Sequence, residues 1–265
     1  MKVFISADIE GITGVTHWDE TDLDKAVSAS ACEQMTAEVA AACKGALEAG
    51  ANEILIKDAH GSGRNIIASK LPHEARLIRG WAPHPTMMMQ GLDETFQAAA
   101  FIGYHSRAGA NTNPLAHTMT GAFTRVTVNG RDASEFLLNT YTASMLKVPV
   151  VFVSGDKGLC EEVTGLNPAI GTMAVKEGIG DSTVSIHPEL AIARIKEGLA
   201  KALKSDLSKC QVALPDHFSV DIQYKKHTQA YQYSFYPGAN LKDPLTVHYE
   251  SRDYFEVLRF LFFAG

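Results

Sequence analysis

The sequence predicts an α/β fold, a mostly parallel sheet flanked by helices, followed by a smaller C-terminal α+β unit. Three observations carry that expectation. Several short apolar runs lack alternation, which suits strands buried on both faces. Near the N-terminus an apolar run, a helical stretch and a second apolar run follow one another, the order of a βαβ crossover. After Cys210 the texture changes to alternating, more aromatic segments.

Lys2 to Ala7 (KVFISA) is apolar and β-branched and stops at the polar Asp8-Ile9-Glu10-Gly11, as a buried strand hands over to a loop. Glu33 to Ala49 is Ala-rich, with Met35, Val39, Ala42 and Ala46 at helical spacing, and Gly50 stops it. A second strand is expected over Glu53 to Lys57, and further buried strands over Ala98 to Tyr104 and Val148 to Ser154. Phe123 to Val128 alternates and ends at Asn129-Gly130, a turn signal, before a helical stretch from Ala133 to Leu146. Pro188 to Leu203 reads as an amphipathic helix. In the tail, Phe218 to Tyr224 and Thr246 to Glu250 alternate, and Tyr254 to Phe263 carries helical spacing. The seam is placed around Ser205 to Pro215, giving an α/β domain over residues 1–207 and a smaller α+β domain over 208–265.

Composition narrows the function. With 46% hydrophobic and 20% charged residues, the 265-residue chain excludes disorder, collagen and coiled coil. Lys+Arg 24 against Asp+Glu 30 gives a net charge of −6, and the basic residues are scattered, so no nucleic-acid partner is expected. The longest apolar runs, Val148 to Val153 and Phe260 to Phe263, fall far short of a membrane span. The first residues reach Asp8 and Glu10 at once, unlike a signal peptide, so a cytoplasmic location is expected. Cys32, Cys43, Cys160 and Cys210 form no CxxC pair and read as reduced structural thiols.

The chemistry collects at the carboxyl ends of the expected strands, where ligands bind in open α/β sheets. Asp8 and Glu10 follow the first strand, Asp58 and His60 the second, His105 the third, and Asp156 the Val148 run. If the extended backbone continues through Asp8-Ile9-Glu10, both carboxylates project to one side. Carboxylates beside imidazoles suit Zn²⁺ or Mn²⁺. Gly11, Gly61 and Gly103 flank these residues and permit close backbone approach. No phosphate-binding loop, complete dinucleotide fingerprint, HExxH or GxSxG motif is present.

Ser6-Ala7-Asp8-Ile9-Glu10-Gly11 resembles the SxDxEG signature of the DppA-type D-aminopeptidases, zinc peptidases that assemble into compartmentalising rings. Lys57-Asp58-Ala59-His60 is similar to that family's xDxH segment, Gly103-Tyr104-His105-Ser106-Arg107 to its GYHxR, Ala116-His117-Thr118-Met119 to its xHxM, and Ser134-Glu135 with Leu138-Asn139 to its ExxLN. The five stretches stand in the family's order across residues 6 to 139. The stretch between His105 and His117 is one residue longer than the pattern, and His17-Trp18-Asp19-Glu20 lies outside it. The resemblance implies two zinc ions per subunit, with Asp8 shared, Glu10 and His60 on the first ion, and His105 with Glu135 on the second. Glu135 enters only through the resemblance. His117 is implied to lie near the metals as a catalytic histidine, serving as base, acid or oxyanion stabiliser. Also implied are short peptide substrates with D-Ala-type N-termini and a ring-type homodecamer.

Asp58 or Asp156 is a candidate anchor for a substrate's free amine, although Asp58 also reads as a structural acid and Asp156 as a helix cap. The other histidines, His17, His73, His84, His187, His217, His227 and His248, are assigned to surface or satisfied interior positions. Met87-Met88-Met89 reads as core or interface. Two alternatives stay open at this stage: a dinuclear phosphoesterase, with Arg64 and Arg107 as its basic groups, and a non-catalytic small-molecule binding protein with a structural metal.

Overall fold

The computed structural model describes residues 1–265. In chain order the elements are β1 (Lys2–Ala7), α1 (Ser28–Glu48), β2 (Glu53–Asp58), β3 (Ala75–Ile78), β4 (Ala98–Tyr104), β5 (Phe123–Val128), β6 (Arg131–Asp132), α2 (Glu135–Met145), β7 (Val150–Asp156), α3 (Lys157–Leu166), β8 (Gly171–Ile179), β9 (Ser182–Ser185), α4 (Pro188–Leu203), β10 (Phe218–Tyr224), α5 (His227–Tyr233), β11 (Asn240–Asp243), β12 (Thr246–Ser251) and α6 (Tyr254–Phe263).

β1, β2, β4 and β7 are the unbroken apolar runs, and they form the centre of a seven-stranded sheet of order β3-β2-β1-β4-β7-β8-β9. Every pairing in it is parallel except the β8–β9 edge hairpin. Helices α1, α3 and α4 cover it, as a parallel sheet requires. The chain runs outward from β1 through β2 to β3 and then returns to the other side of β1 as β4, so the strand order reverses between β1 and β4. A crevice opens at the carboxyl ends of strands at such a reversal.

The second sheet is antiparallel, of order β11-β12-β10-β5-β6. The C-terminal strands are thus completed by β5 and β6 from residues 123–132, a pairing between segments some ninety positions apart (Val220 with Val128, Ile222 with Val126) that alternation alone does not reveal. Its core gathers Phe218, Val220, Ile222, Tyr249, Val257 and Phe260. Helix α2 joins the two units: Phe136 and Ala143 belong to the core of the parallel sheet, while Leu137, Leu138 and Tyr141 belong to that of the antiparallel sheet.

Helix α1 begins at Ser28, before the expected Glu33, because its start lacks a side-chain cap that a sequence would display. Both α2 and α3 are capped, by Ser134 accepting from the Leu137 amide and by Asp156 accepting from the Leu159 amide. The four cysteines are free and buried. No helix is long and apolar enough to cross a membrane.

Candidate metal centre

Asp8 and Glu10 leave the end of β1 and turn back toward β4, held by the Asp8 amide donating to the Ile102 carbonyl at 2.8 Å and the Gly11 amide donating to the Gly103 carbonyl at 2.8 Å. A Cβ on Gly11 would lie 1.7 Å from the Tyr104 carbonyl oxygen, so glycine alone permits this approach. At Gly103 φ is +72° and a Cβ would meet the Asp8 carbonyl oxygen at 2.3 Å. The two glycines thereby draw the Asp8-Glu10 turn against the strand that carries His105.

The resulting cluster is compact. Asp8 Oδ1 stands 3.4 Å from His60 Nδ1, and Asp8 Oδ2 stands 3.4 Å from His105 Nε2. Glu10 Oε2 lies 2.9 Å from His60 Nδ1, Glu135 Oε2 lies 3.3 Å from His105 Nε2, and Glu135 Oε1 lies 3.6 Å from His117 Nε2. Three overlapping sets of donors, Asp8-Glu10-His60, Asp8-His105-Glu135 and Glu10-His105-His117, each have their donor atoms within 4.8 Å of one another. Residues from β1, β2, β4, α2 and the loop before β5 therefore converge although the sequence spreads them over residues 8 to 135.

Backbone carbonyls fix the imidazoles. His60 Nε2 donates to the Thr21 carbonyl at 2.9 Å, His105 Nδ1 to the Ser106 carbonyl at 2.9 Å, and His117 Nδ1 to the Leu115 carbonyl at 3.0 Å. A carbonyl only accepts, so in each neutral ring the other nitrogen is left with its lone pair facing the cluster. His117 stacks on His105, ring centroids 4.4 Å apart, and makes an inclined contact with Trp18 at 5.3 Å.

Two buried atoms in the cluster, Glu10 Oε2 and His105 Nε2, lack a well-directed hydrogen bond and face only the other members of the cluster, His60 Nδ1 at 2.9 Å and Glu135 Oε2 at 3.3 Å. Burial of unpaired polar atoms is costly, and here the orphans are acidic oxygen and imidazole nitrogen aimed at one space, as a divalent cation requires. The protonation of the metal-free site points the same way. Burial and the neighbouring Glu10 push Asp8 well above the usual carboxylate range. Burial opposes charge on His105, but Glu135 and Asp8 outweigh it and hold His105 up at about 10. Glu135 is brought down to about 2 against its burial, by His105 and His117. His60 is likewise raised against its burial by Glu10 and Asp8. Without a cation, the carboxylates retain protons on the imidazoles to balance their charge.

A cleft of about 280 Å³ opens over the cluster, lined by Asp8, Glu10, His60, His117 and Glu135 and walled by Trp18, Trp81, Met88 and Met119. His105 is buried and is not among the residues that line it. Met88, expected in core or interface, is buried and also reaches this wall, because Asn139 on α2 donates to its sulfur.

Asp58 and Asp156 do not serve as amine anchors. Asp58 is saturated by the Asn65 and Ile66 amides and the Asn65 side chain, and Asp156 by the Leu159 and Ser106 amides, the Ser106 hydroxyl and the Asn113 side chain. Both are fully buried and neither lines the cleft. Asp156 instead belongs to a support behind the cluster. Asn113 also donates to the Glu10 carbonyl at 3.1 Å, and the buried Lys176 donates to the carbonyls of Glu10 and Val15. Lys176 and Asn113 escaped sequence reasoning because they act on a backbone carbonyl, which no motif displays. The other histidines stand outside the cluster: His187 caps α4, His84 bonds Thr86, and His248 pairs with Asp221.

The comparisons agree with this geometry. A family model described as D-aminopeptidase matches residues 1–263. The D-aminopeptidase of Bacillus subtilis (strain 168) is 33% identical over 258 residues, covering 97% of this chain and 93% of that protein. A solved structure of a zinc-dependent D-aminopeptidase from Bacillus subtilis, DppA, described as a self-compartmentalizing protease, superposes with a TM-score of 0.92 at 31% identity, covering 100% of this chain and 96% of that one. On this combined ground the chain belongs to the D-aminopeptidase family.

Proposed function

We propose that the chain is a zinc-dependent aminopeptidase that hydrolyses short peptides bearing an N-terminal D-amino acid of D-Ala type, with two zinc ions per subunit. The observation that carries the count is the Asp8 carboxylate, whose two oxygens face two different imidazoles, His60 and His105, each at 3.4 Å. In this reading Asp8 is shared, Glu10 and His60 complete one ion's set, and His105 and Glu135 complete the other's. When bound, the zinc pair supplies Lewis acidity toward the scissile carbonyl and a water whose pKa falls toward neutrality.

The chain's own residues do the rest. His117, only partly buried, keeps Nε2 toward the cleft because Nδ1 is committed to Leu115. From there its Nε2 lone pair accepts a proton released at the reacting centre and passes it on to the leaving amine. The Met119 amide donates to Glu135 Oε1 at 2.7 Å and leaves Oε2 facing His105. Trp18, Trp81 and Met119 stand among the cleft's walls.

The phosphoesterase reading lacks its basic groups. No Lys or Arg lines the cleft, Arg107 is paired with Asp132 at 2.9 Å, and Arg64 bonds Ser62. Catalysis is assigned to residues 1–207, with 208–265 as the smaller part, whose sheet is completed by β5 and β6 from residues 123–132. Exposed Tyr231, Phe235 and Phe263 in that smaller part favour association with further copies, as a ring-type homodecamer in the cytoplasm.

The zinc-loaded protein is expected to hydrolyse D-alanyl p-nitroanilide and not p-nitrophenyl phosphate, and Glu10→Ala and His60→Ala to lose both zinc and turnover. Turnover of the phosphate ester alone, or full activity in both variants, overturns the assignment. A solution mass of one 28.7 kDa chain refutes the ring.

A further inference from the structure

The chain has two tryptophans, and both line this one cleft. Trp18 sits on a short 3₁₀ turn, Trp18–Glu20, capped by His17, and its ring makes an inclined contact with His117, centroids 5.3 Å apart. Trp81 follows β3 on a loop that carries no motif residue. Its indole nitrogen donates to the Gly61 carbonyl at 2.7 Å, beside His60, and its ring lies 3.8 Å over the ammonium of Lys57.

Lys57 is fully buried, which for a lysine demands a reason. Its three donor directions are all used: the Asp58 carbonyl at 2.7 Å, the Gly80 carbonyl at 2.7 Å, and the face of Trp81. No acidic side chain pairs with it. The Gly80 amide in turn donates to the Gly63 carbonyl at 2.7 Å. The three links tie the loop that presents His60 to the loop that presents Trp81. A buried ammonium beneath an aromatic ring fixes that ring's position without crowding the cleft side, which a packed aliphatic chain would not do as directionally.

The rest of the lining decides what the walls receive. Apart from the metal-facing acids and imidazoles, the cleft presents Ala59, Gly61, Met88, Met119, Thr120 and Gly121. None offers a charge to a charged side chain, and an unpaired charge in such a cleft is strongly disfavoured.

We infer that Trp81 and Trp18 are the specificity-determining walls that receive an uncharged, apolar side chain of the substrate's N-terminal residue, and that Lys57 is the positioning residue that holds Trp81 in place. The inference rests on the aminopeptidase reading above. It assigns roles to Trp18 and Trp81, which lie outside the five motif stretches, and to Lys57, a motif position without a chemical part in the site.

The test compares glycyl, D-leucyl and D-glutamyl p-nitroanilide on the zinc-loaded full chain, in the wild type, Trp81→Ala and Lys57→Met, with zinc content measured for each. The wild type is expected to prefer the D-leucyl over the D-glutamyl substrate. Trp81→Ala is expected to lose about tenfold or more in kcat/KM on the D-leucyl substrate while changing less than about threefold on the glycyl one, at unchanged zinc content. Lys57→Met is expected to show the same selective loss, mainly in KM. A purely structural role would lower all substrates together. Equal losses on glycyl and D-leucyl substrates, or none on either, overturn the inference while leaving the aminopeptidase reading intact.

If the wild type hydrolyses none of the three and not D-alanyl p-nitroanilide either, the aminopeptidase reading falls, and binding still decides the walls. In Trp18→Phe, Trp81 is the sole indole. A shift of its emission on titration with D-leucine amide, absent with D-glutamic acid, supports the inference, and no shift overturns it.

Discussion

Replacing Gly11 by alanine tests how the metal-facing turn is built. A Cβ at this position would stand 1.7 Å from the Tyr104 carbonyl oxygen and 2.6 Å from that of Gly103. A comfortable C···O separation is about 3.3 Å, so the turn must retreat from the end of β4 by about 3.3 − 1.7 = 1.6 Å. Both partners are backbone, so no side chain can swing aside. The retreat breaks the hydrogen bond from the Gly11 amide to the Gly103 carbonyl, which contributes about 1 kcal/mol. Strain from overpacking adds about 1–3 kcal/mol. A total of about 3 kcal/mol corresponds to a fall in Tm of roughly 6–12 °C for a chain of this size. The effect on the site is larger, because Glu10 rides on the turn and metal–donor distances tolerate only about 0.2 Å. Gly11→Ala is therefore expected to lose zinc, measured by elemental analysis after gel filtration, together with the drop in Tm measured by calorimetry. Gly165 in α3, where a Cβ meets nothing within 4 Å, is the control, and its alanine variant is expected to match or slightly exceed wild-type stability. Wild-type zinc content in Gly11→Ala with Tm within about 1 °C of the parent would refute the reasoning.

Three further outcomes follow from the same geometry. In the metal-free protein His105 is raised from 6.5 to about 10, so its contribution is complete below pH 6.5 and is lost as pH rises toward 10; Glu135 is lowered from 4.5 to about 2, so its contribution is complete above pH 4.5 and is lost as pH falls. Thermal melts of metal-free protein should therefore fall off as pH rises above 6.5 and as it drops below 4.5, excess zinc should remove the alkaline decline, and zinc binding at pH 7 should release protons, those of His60 and His105 among them, in calorimetry across buffers. Asp156→Ala removes the α3 cap, orphans the Ser106 amide and takes one of the Asn113 side chain's acceptors, and urea unfolding should show a loss of about 3–5 kcal/mol; a loss below about 1 kcal/mol would contradict the support assigned to it. Lys176→Met leaves the Glu10 and Val15 carbonyls without their buried donor, and zinc affinity is expected to fall about tenfold or more, whereas unchanged affinity would mean that Asn113 alone holds Glu10.

The parallel sheet was legible because burial on both faces writes itself into the sequence as unbroken apolar runs. β1, β4 and β7 lie where KVFISA, AAAFIGY and the Val148 run place them, to within two residues. Residues one strand end apart were legible too, since Asp8, Glu10, His60 and His105 follow such runs directly. Glu135 was not, except by resemblance. It stands at the first turn of α2, and only the packing of that helix against both cores carries it to His105. The capping function of Asp156 was readable as one option among two, and burial with four donors around it decides the matter.

The antiparallel sheet marks the limit more sharply. Alternation identifies β5 and β10 as strands with one buried face, but pairing is a property of two distant segments, and nothing local in Phe123 to Val128 names Phe218 to Tyr224 as its partner. The same holds for Trp81, Lys57 and Lys176, whose roles arise from contacts with a carbonyl or a ring supplied by another part of the chain. What the sequence by itself determined is the set of local facts: which runs are buried strands, which turns end them, and which acids and imidazoles stand at their ends. What only the tertiary structure decided is convergence, because donor atoms within 4.8 Å of one another are fixed by strand order, helix packing and the close approach at Gly11, and none of these distances is encoded by spacing along the chain.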